Sequence, residues 1–472
     1  MFSEIYIDDY INFNRFCIDF PNYKEDKKPN LNILVGRNGS GKSCLLDALY
    51  EIGLNNLKSK TDKEVDNTTF HYQILLGNFE KNILCENPKV NQKNFIDEKE
   101  RLNNLWDKVI RLYTGNTKRQ NNYAFSHNTL SLGPEDTKWA FLSIFLSGKW
   151  QNMPEEEKNL WNDVQKIVLG FNPDEKEDSE NIGKIEPKII WIETKAKIES
   201  GDEYYLQADD FYDWSIMCPE KFIPLKNGHY RYFWNLEDKI TCNPDESPVV
   251  VYDVLTHILE LKNEGKIINT GFLFYKTSKP DELLVDQLLS DGEHALLNRF
   301  ALLMVLRDLK EKCLILLDEP ETHFNEYWKT WFLHLVCEAL KNKNCDVFIA
   351  THSAMLITDA KPEEVHRLEV RGNKIVHHPV PISTYGANVV DIGQSLFKME
   401  ADIGKRSRDE IKKVISEGKK DDLEKLLKQV GPGEWRWRIR VALKEVEAAK
   451  RRKKCIHYVI ADGSENTQDE EC

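Results

Sequence analysis

The chain has 472 residues, 41% of them hydrophobic and 30% charged, enough for two or three domains with a sizeable core and unlike a disordered or fibrous chain. Its formal net charge of −13 means that the protein as a whole is no electrostatic trap for nucleic acid. No apolar stretch approaches the ~18 residues of a membrane span, and the start of the chain lacks a basic n-region and a long apolar h-region, which excludes a transporter with its own membrane domain.

Residues 5–10 and 12–20 are expected as two short strands at an antiparallel edge. Arg15 and Phe16 there are candidates to lie near an adenine, with strand packing the plainer use of Phe16. An apolar strand over residues 31–35 then leads into Gly36-Arg37-Asn38-Gly39-Ser40-Gly41-Lys42-Ser43, and an apolar helical run over 44–50 leads out. This fits the phosphate-binding loop G-x-x-x-x-G-K-[ST] in its strand-loop-helix setting. Backbone N–H groups of the loop close on the phosphates of ATP, Lys42 reaches the β/γ oxygens, and Ser43 ligates Mg2+. A Gly-rich turn without a ligand is the bland alternative, and the flanking strand and helix count against it.

The 245 residues between Ser43 and Leu289 exceed by about twofold or more what a compact nucleotide-binding unit needs, so a large insertion is expected. Helical stretches are expected over 97–113 and 154–169, a strand over 188–192, and a strand or helix over 249–261. Sustained heptads are missing, so a long coiled-coil arm is not expected and the insertion reads as compact and mainly helical. Aromatics cluster over 204–214 and 230–234; core packing is their ordinary use and base stacking the alternative. Gln73 and Gln207 are both candidates for a magnesium-sensing glutamine.

Residues 289–293, Leu-Ser-Asp-Gly-Glu, carry a Ser-x-x-Glu capping box that begins a helix. Further on, the apolar run 313–317 ends in Asp318-Glu319-Pro320, delivering two carboxylates to the carboxyl edge of a buried parallel sheet. Asp318 is placed to hold the magnesium and Glu319 to polarise an attacking water. Another strand, 346–350, runs into Thr351-His352-Ser353 and sets an imidazole at the next strand end, within reach of a γ-phosphate.

The carboxy-terminal part is locally basic: residues 404–454 hold 18 Lys/Arg against 9 Asp/Glu, including Trp435-Arg436-Trp437-Arg438-Ile439-Arg440 and the run 450–454, before an acidic tail. Contact with nucleic-acid phosphates, a solvated helix face and a partner-docking surface are all open readings. The ten cysteines lack Cys-x-x-Cys pairs, and Cys44, Cys313 and Cys337 fall in apolar runs; they read as reduced, buried thiols of a cytoplasmic protein without a zinc site.

Taken in order, these strings resemble the ABC class of P-loop ATPases, which includes transporter motors, SMC proteins and break-repair ATPases. Residues 36–43 are similar to Walker A, 289–293 to the signature motif, 314–319 to Walker B with its catalytic glutamate, 321–325 to the D-loop, and His352 to the switch histidine. Asp291 and Glu293 replace the glycine and glutamine of the transporter signature, which points to the soluble branches. The resemblance implies an α/β head with a mixed sheet, flanking helices and an antiparallel edge, carrying the insertion and a helical carboxy-terminal region. The corresponding divisions are 1–80, 81–270, 271–385 and 386–472. It also implies that Ser290, Gly292 and Glu293 bind the γ-phosphate held by a second copy, so that ATP joins two copies, or a larger even number, and hydrolysis releases them.

The string 318–325, Ala350-Thr351-His352-Ser353, Thr384-Tyr385-Gly386-Ala387-Asn388 and Gly431-x-Gly433-x-x-Arg436 further resemble the ATPase subunits of Septu-type bacterial anti-phage systems, relatives of which accompany some retrons. That resemblance implies a sensor and regulator that controls a separate HNH-type nuclease, with retron RNA or DNA as a further possible partner. The alternatives are a stand-alone DNA-repair or chromosome-maintenance ATPase and an ATP-dependent scaffold with little turnover.

Overall fold

The computed structural model describes residues 2–10, 13–20, 29–59, 72–76, 83–86, 106–113, 128–150, 152–168, 173, 185–195, 221–236, 250–276, 279–285, 288–372, 374–399 and 403–461. The chain divides into two compact units, Met1–Lys398 and Met399–Cys472.

The centre of the larger unit is a seven-stranded sheet. It is built from β3 (Asn30–Val35), β6 (Lys108–Tyr113), β7 (Thr129–Leu132), β13 (Cys313–Asp318), β14 (Cys345–Thr351), β15 (Val365–Arg371) and β16 (Lys374–His378) in the order β16-β15-β3-β14-β13-β6-β7. All neighbours are parallel except the β15–β16 hairpin. Every residue of β13 and β14 is buried, as expected for strands covered on both faces. The period-2 alternation then decides which layer each residue joins. Leu314 and Leu316 pack with Leu45, Leu46 and Leu49 of α1 (Lys42–Ser59) and with Ile5, Ile7 and Phe16, whereas Ile315 and Leu317 face the other layer.

On the first face lies an antiparallel sheet in the order β2-β1-β4-β5, with β1 Phe2–Tyr10, β2 Phe13–Asp19, β4 Tyr72–Leu76 and β5 Ile83–Glu86. The two amino-terminal strands expected from alternation are therefore present. Phe16 is only 2% exposed and its ring lies 4.6 Å from that of Phe13, so packing, not adenine contact, is what it does. Arg15 is exposed.

The opposite face carries helices α2 (Thr137–Leu146), α3 (Glu155–Val168), α4 (Val251–Asn263), α5 (Asp291–Arg307), α6 (Glu326–Ala339), the short α7 (Ala354–Ile357) and α8 (Val389–Phe397). Apolar almost all round, α2 packs against α4 and α5. In α3 the buried Leu160, Trp161, Val164, Ile167 and Val168 recur at helical spacing, and Glu155, Glu156 and Glu157 complement the dipole in its first turn. A second antiparallel sheet, β12-β11-β8-β10-β9, adds Ile190, Ile192, Tyr232, Trp234, Phe272 and Phe274 to the same core. Its strands are β8 Ile185–Thr194, β9 Lys221–Pro224, β10 Tyr230–Asn235, β11 Ile267–Lys276 and β12 Lys279–Val285.

Several expectations need correction. The described residues of 81–270 are not a mainly helical insertion outside the core: β6 and β7 complete the central sheet and β8 to β11 contribute to the second one. Residues 108–113, read as the end of a helix, form a strand because Val109, Ile110 and Leu112 fill both faces of the sheet beside β13. Of the two readings open for 249–261, strand or helix, residues 251–263 take the helix. The unit boundary falls after Lys398, because Ile392 and Leu396 of α8 belong to the head's core. The aromatics at 204–214, the candidate Gln207 and the acidic tail lie outside the described residues, and Gln73 sits on β4 opposite Glu86.

The smaller unit contains α9 (Lys405–Glu417), α10 (Lys420–Gln429) and α11 (Glu434–Ala461), closed around Ile411, Leu423, Leu426, Trp435, Ile439 and Ala442. Among the described residues no helix is long and apolar enough to cross a membrane.

Candidate functional site

Three neighbouring parallel strands, β3, β14 and β13, end together: Val35 pairs with Thr351, and Ala350 with Asp318. The residues that follow them, Gly36, His352 and Glu319, therefore meet at one sheet edge without any long-range search. The loop out of β3 is held by the hydrogen bond from Ser40 N to the Arg37 carbonyl, 3.0 Å. A Cβ on Gly36 would lie 2.3 Å from the Leu368 carbonyl oxygen, so the β15–β16 hairpin reserves this position for glycine. Gly39 and Gly41 take left-handed φ values of 78° and 94°, and Arg37, Asn38 and Gly39 are exposed at the loop tip. Beside them a pocket of about 200 Å3 is lined by Ser40, Arg367, Glu369 and Lys398 among others.

Lys42, 5% exposed, donates from Nζ to the Gly36 carbonyl at 2.9 Å and lies 2.8 Å from His352 Nε2. Burial lowers its pKa to about 8, against the opposing pull of Glu319, Asp318 and Glu321. His352 Nε2 is also 3.1 Å from Glu319 Oε1. One ring nitrogen cannot both accept from the ammonium and donate to the carboxylate, so the proton on His352 selects between Lys42 and Glu319. The hydrogen bond with His352 holds the Glu319 carboxyl below the usual range, opposed by desolvation. Glu319 also has a φ of 49°, rare for a residue with a Cβ, and its N–H is anchored to the Ala350 carbonyl at 2.8 Å.

Ser43 Oγ donates to Asp318 Oδ1 at 3.1 Å. Burial pushes the Asp318 carboxyl up while the Ser43 hydroxyl opposes it. A hydroxyl and a carboxylate side by side are the hard oxygen donors that Mg2+ takes in company with phosphate oxygens and water, so these residues fit the ion.

Ser290 caps α5: its Oγ accepts from Glu293 N at 3.3 Å while Glu293 Oε2 accepts from Ser290 N at 2.6 Å. Gly292 lies against the loop after Walker B, where a Cβ would come within 2.6 Å of the His323 carbonyl oxygen and 2.7 Å of the Trp328 ring. Within one chain the signature residues thus contact their own cap and the 319–328 segment, and Lys42, Ser43, Asp318, Glu319 and His352 form a separate group.

Sequence reading missed three supporting side chains. Glu321 is buried, its carboxyl pushed up by that burial, and it accepts a hydrogen bond from Thr351, tying the loop after β13 to the end of β14. Arg299 of α5 donates to the carbonyls of Pro320 and, at 2.8 Å, Thr322. Arg111 of β6 binds Asp47 of α1 and stacks 3.5 Å over the Tyr113 ring. The sequence signal available was a charged residue inside an apolar run, as at Arg111 and Arg299, which calls for a buried partner.

A phosphate loop, two carboxylates at the adjacent strand end and a capped signature helix on one mixed sheet define an ATPase head of the ABC class. The chain belongs to the RecF/RecN/SMC N-terminal domain family, whose profile matches residues 12–376; ATPases of this family bind ATP with Mg2+. Among solved structures it is similar to an SMC head domain from Thermotoga maritima at 13% identity, covering 81% of this chain and 99% of that one, TM-score 0.36. An SMC head bound to the C-winged helix domain of ScpA matches at 12% identity over 80% of this chain and 98% of that one, TM-score 0.37. The ATP-bound recombination mediator RecF matches at 13% identity over 74% and 93%, TM-score 0.27. No curated protein matches the chain.

Proposed function

We infer that this protein hydrolyses ATP at the edge formed by β3, β13 and β14, and that two copies close over two shared nucleotides. The observation that supports this best is the register that gathers Lys42, Ser43, Asp318, Glu319 and His352 on neighbouring strand ends. The N–H groups of residues 36–43 cradle the phosphates, and Lys42 moves from the Gly36 carbonyl onto the β/γ oxygens. Ser43 and Asp318 hold Mg2+, which supplies charge neutralisation on those oxygens. Glu319, kept ionised beside His352, orients and polarises the attacking water, and His352, once released from Lys42, contacts the γ-phosphate. Ser290, the backbone at Gly292 and the Glu293-closed cap present free amides of α5 to the γ-phosphate of the second copy, so loss of that phosphate opens the pair.

At the finer level we propose the regulatory ATPase of an anti-phage complex, whose nucleotide-dependent pairing controls a separate HNH-type nuclease. Support for that reading comes from the strings at 318–325, 384–388 and 431–436. Co-purification with a nuclease encoded beside it tests this finer level.

The core reading is tested by adding ATP and Mg2+ to wild type and Glu319→Gln while recording mass by light scattering and phosphate release. The variant is expected to lose about 10²- to 10³-fold in turnover and to accumulate an even-numbered assembly. Equal phosphate release from the two proteins removes Glu319 from catalysis, and a monomer with ATP bound removes Ser290 from action in trans.

A further inference from the structure

We propose that α11 carries a binding face for single-stranded nucleic acid, with Trp437 stacking a base and Arg440, Lys444 and Arg451 following the phosphates. The face lies beyond residue 376, outside the family match, and the proposal does not depend on the ATPase reading. Two tryptophans two positions apart on a helix point about 200° away from each other, and the fold uses them differently. Trp435 is 8% exposed and packs with Leu426 and Ile439 in the three-helix core, whereas Trp437 is 63% exposed.

The neighbouring arginines divide in the same way. Arg436 donates to the Val430 carbonyl at 2.5 Å, and Arg438 stacks 4.7 Å over the Trp435 ring while paired with Glu434 at 2.6 Å. Both are occupied in holding the unit together. Arg440 and Lys444 are exposed and have no ion pair among the described residues. Positions 437, 440, 444 and 451 follow the i, i+3, i+7, i+14 pattern of one helix face, a stripe about 21 Å long at 1.5 Å per residue. Of the acids nearest the stripe, Glu434 is taken by Arg438, and Glu447 is taken by Lys420 at 2.8 Å with Lys450 and Arg451 adding to its field. A positive track with an exposed indole at one end is the arrangement that binds a strand without reading its sequence: cations neutralise phosphates and the ring offers a face to any base. An acidic protein would use the cations but leave the indole without a purpose.

The test is fluorescence anisotropy of a 5′-fluorescein-labelled dT20 oligonucleotide with the full chain at several salt concentrations. Wild type is expected to bind with a log–log salt slope of about −2, the value for three phosphates on a single strand. Trp437→Ala is expected to bind about tenfold more weakly with the slope kept. The double variant Arg440→Gln/Lys444→Gln is expected to flatten the slope by about 1.4. All three residues are exposed, so the variants keep the fold, and melting temperature verifies it. Absence of dT20 binding, or binding by both variants equal to wild type, overturns the proposal. A 20-base-pair duplex bound more tightly than dT20, with Trp437→Ala unchanged, overturns the single-strand assignment. Binding of polyglutamate in place of dT20 assigns the face to an acidic protein and overturns it as well.

Discussion

The ATPase head and the carboxy-terminal unit place their charged side chains in opposite environments. In the head, Lys42, Asp318 and Glu321 are each less than 10% exposed, and their pKa values shift because burial penalises charge. In the three-helix unit Arg440, Lys444 and Arg451 of α11 stand in solvent, while the apolar residues beneath hold only the frame. A site on buried strand ends is precise because every ion must be matched by a partner. A site on an exposed helix face is additive, each cation contributing a modest and salt-sensitive share.

The largest effect that would sharpen this contrast is structural. Trp435→Ala should remove about 3–5 kcal/mol of packing from the small unit, seen as loss of protection from proteolysis in residues 405–452, while ATP turnover by the head persists. Trp437→Ala should leave stability within about 0.5 kcal/mol. If the two variants unfold alike, the division between core and face on α11 is wrong. Gly292→Ala comes next, since its methyl must displace the His323 carbonyl or the Trp328 ring; a loss of about 1–3 kcal/mol is expected in thermal unfolding of the head. An unchanged melting temperature would show that the signature helix is not seated against that loop.

The last effect, read in binding instead of stability, follows from Lys42. Its folded-state pKa of about 8 lies below the ordinary 10.5, so between these values the unfolded chain holds the extra proton and this group's contribution to stability rises with pH. Phosphate beside the amine favours the charged form, so ATP binding takes up a proton above pH 8. ATP affinity should therefore fall by up to about tenfold per pH unit from pH 8 to 10 in wild type. It should stay flat over this range in Lys42→Arg, whose guanidinium keeps its proton. A flat wild-type curve would place Lys42 in water instead of in its buried setting.

The nucleotide edge was legible in the sequence because its parts are local: an apolar strand ending in a loop or an acid dictates both burial and position. The strands β3, β13 and β14, the cap at Ser290 and the helix Glu155–Val168 all appear where their patterns require. What could not be read was pairing at long range. Lys-Val-Ile-Arg-Leu-Tyr at 108–113 has the composition of either a helix end or a strand, and only the free edge of β13, two hundred residues on, decides it. The same holds for Arg111 with Asp47 and Thr351 with Glu321, whose charges or hydroxyls are visible but whose partners are not. For α11 the resemblance implied a helical region, and the opposite fates of Trp435 and Trp437 needed the core residues of α9 and α10 to settle them.

Arg299 turns two motifs into one mechanical part. Its guanidinium grips the carbonyls of Pro320 and Thr322 on either side of Glu321, so the helix that begins at Ser290 and the backbone that carries Glu319 are bolted together. A shift of that helix relative to the loop has to break these two hydrogen bonds from a buried guanidinium. Under the proposed function, this joint links the helix that meets the second copy to the residue that orients water.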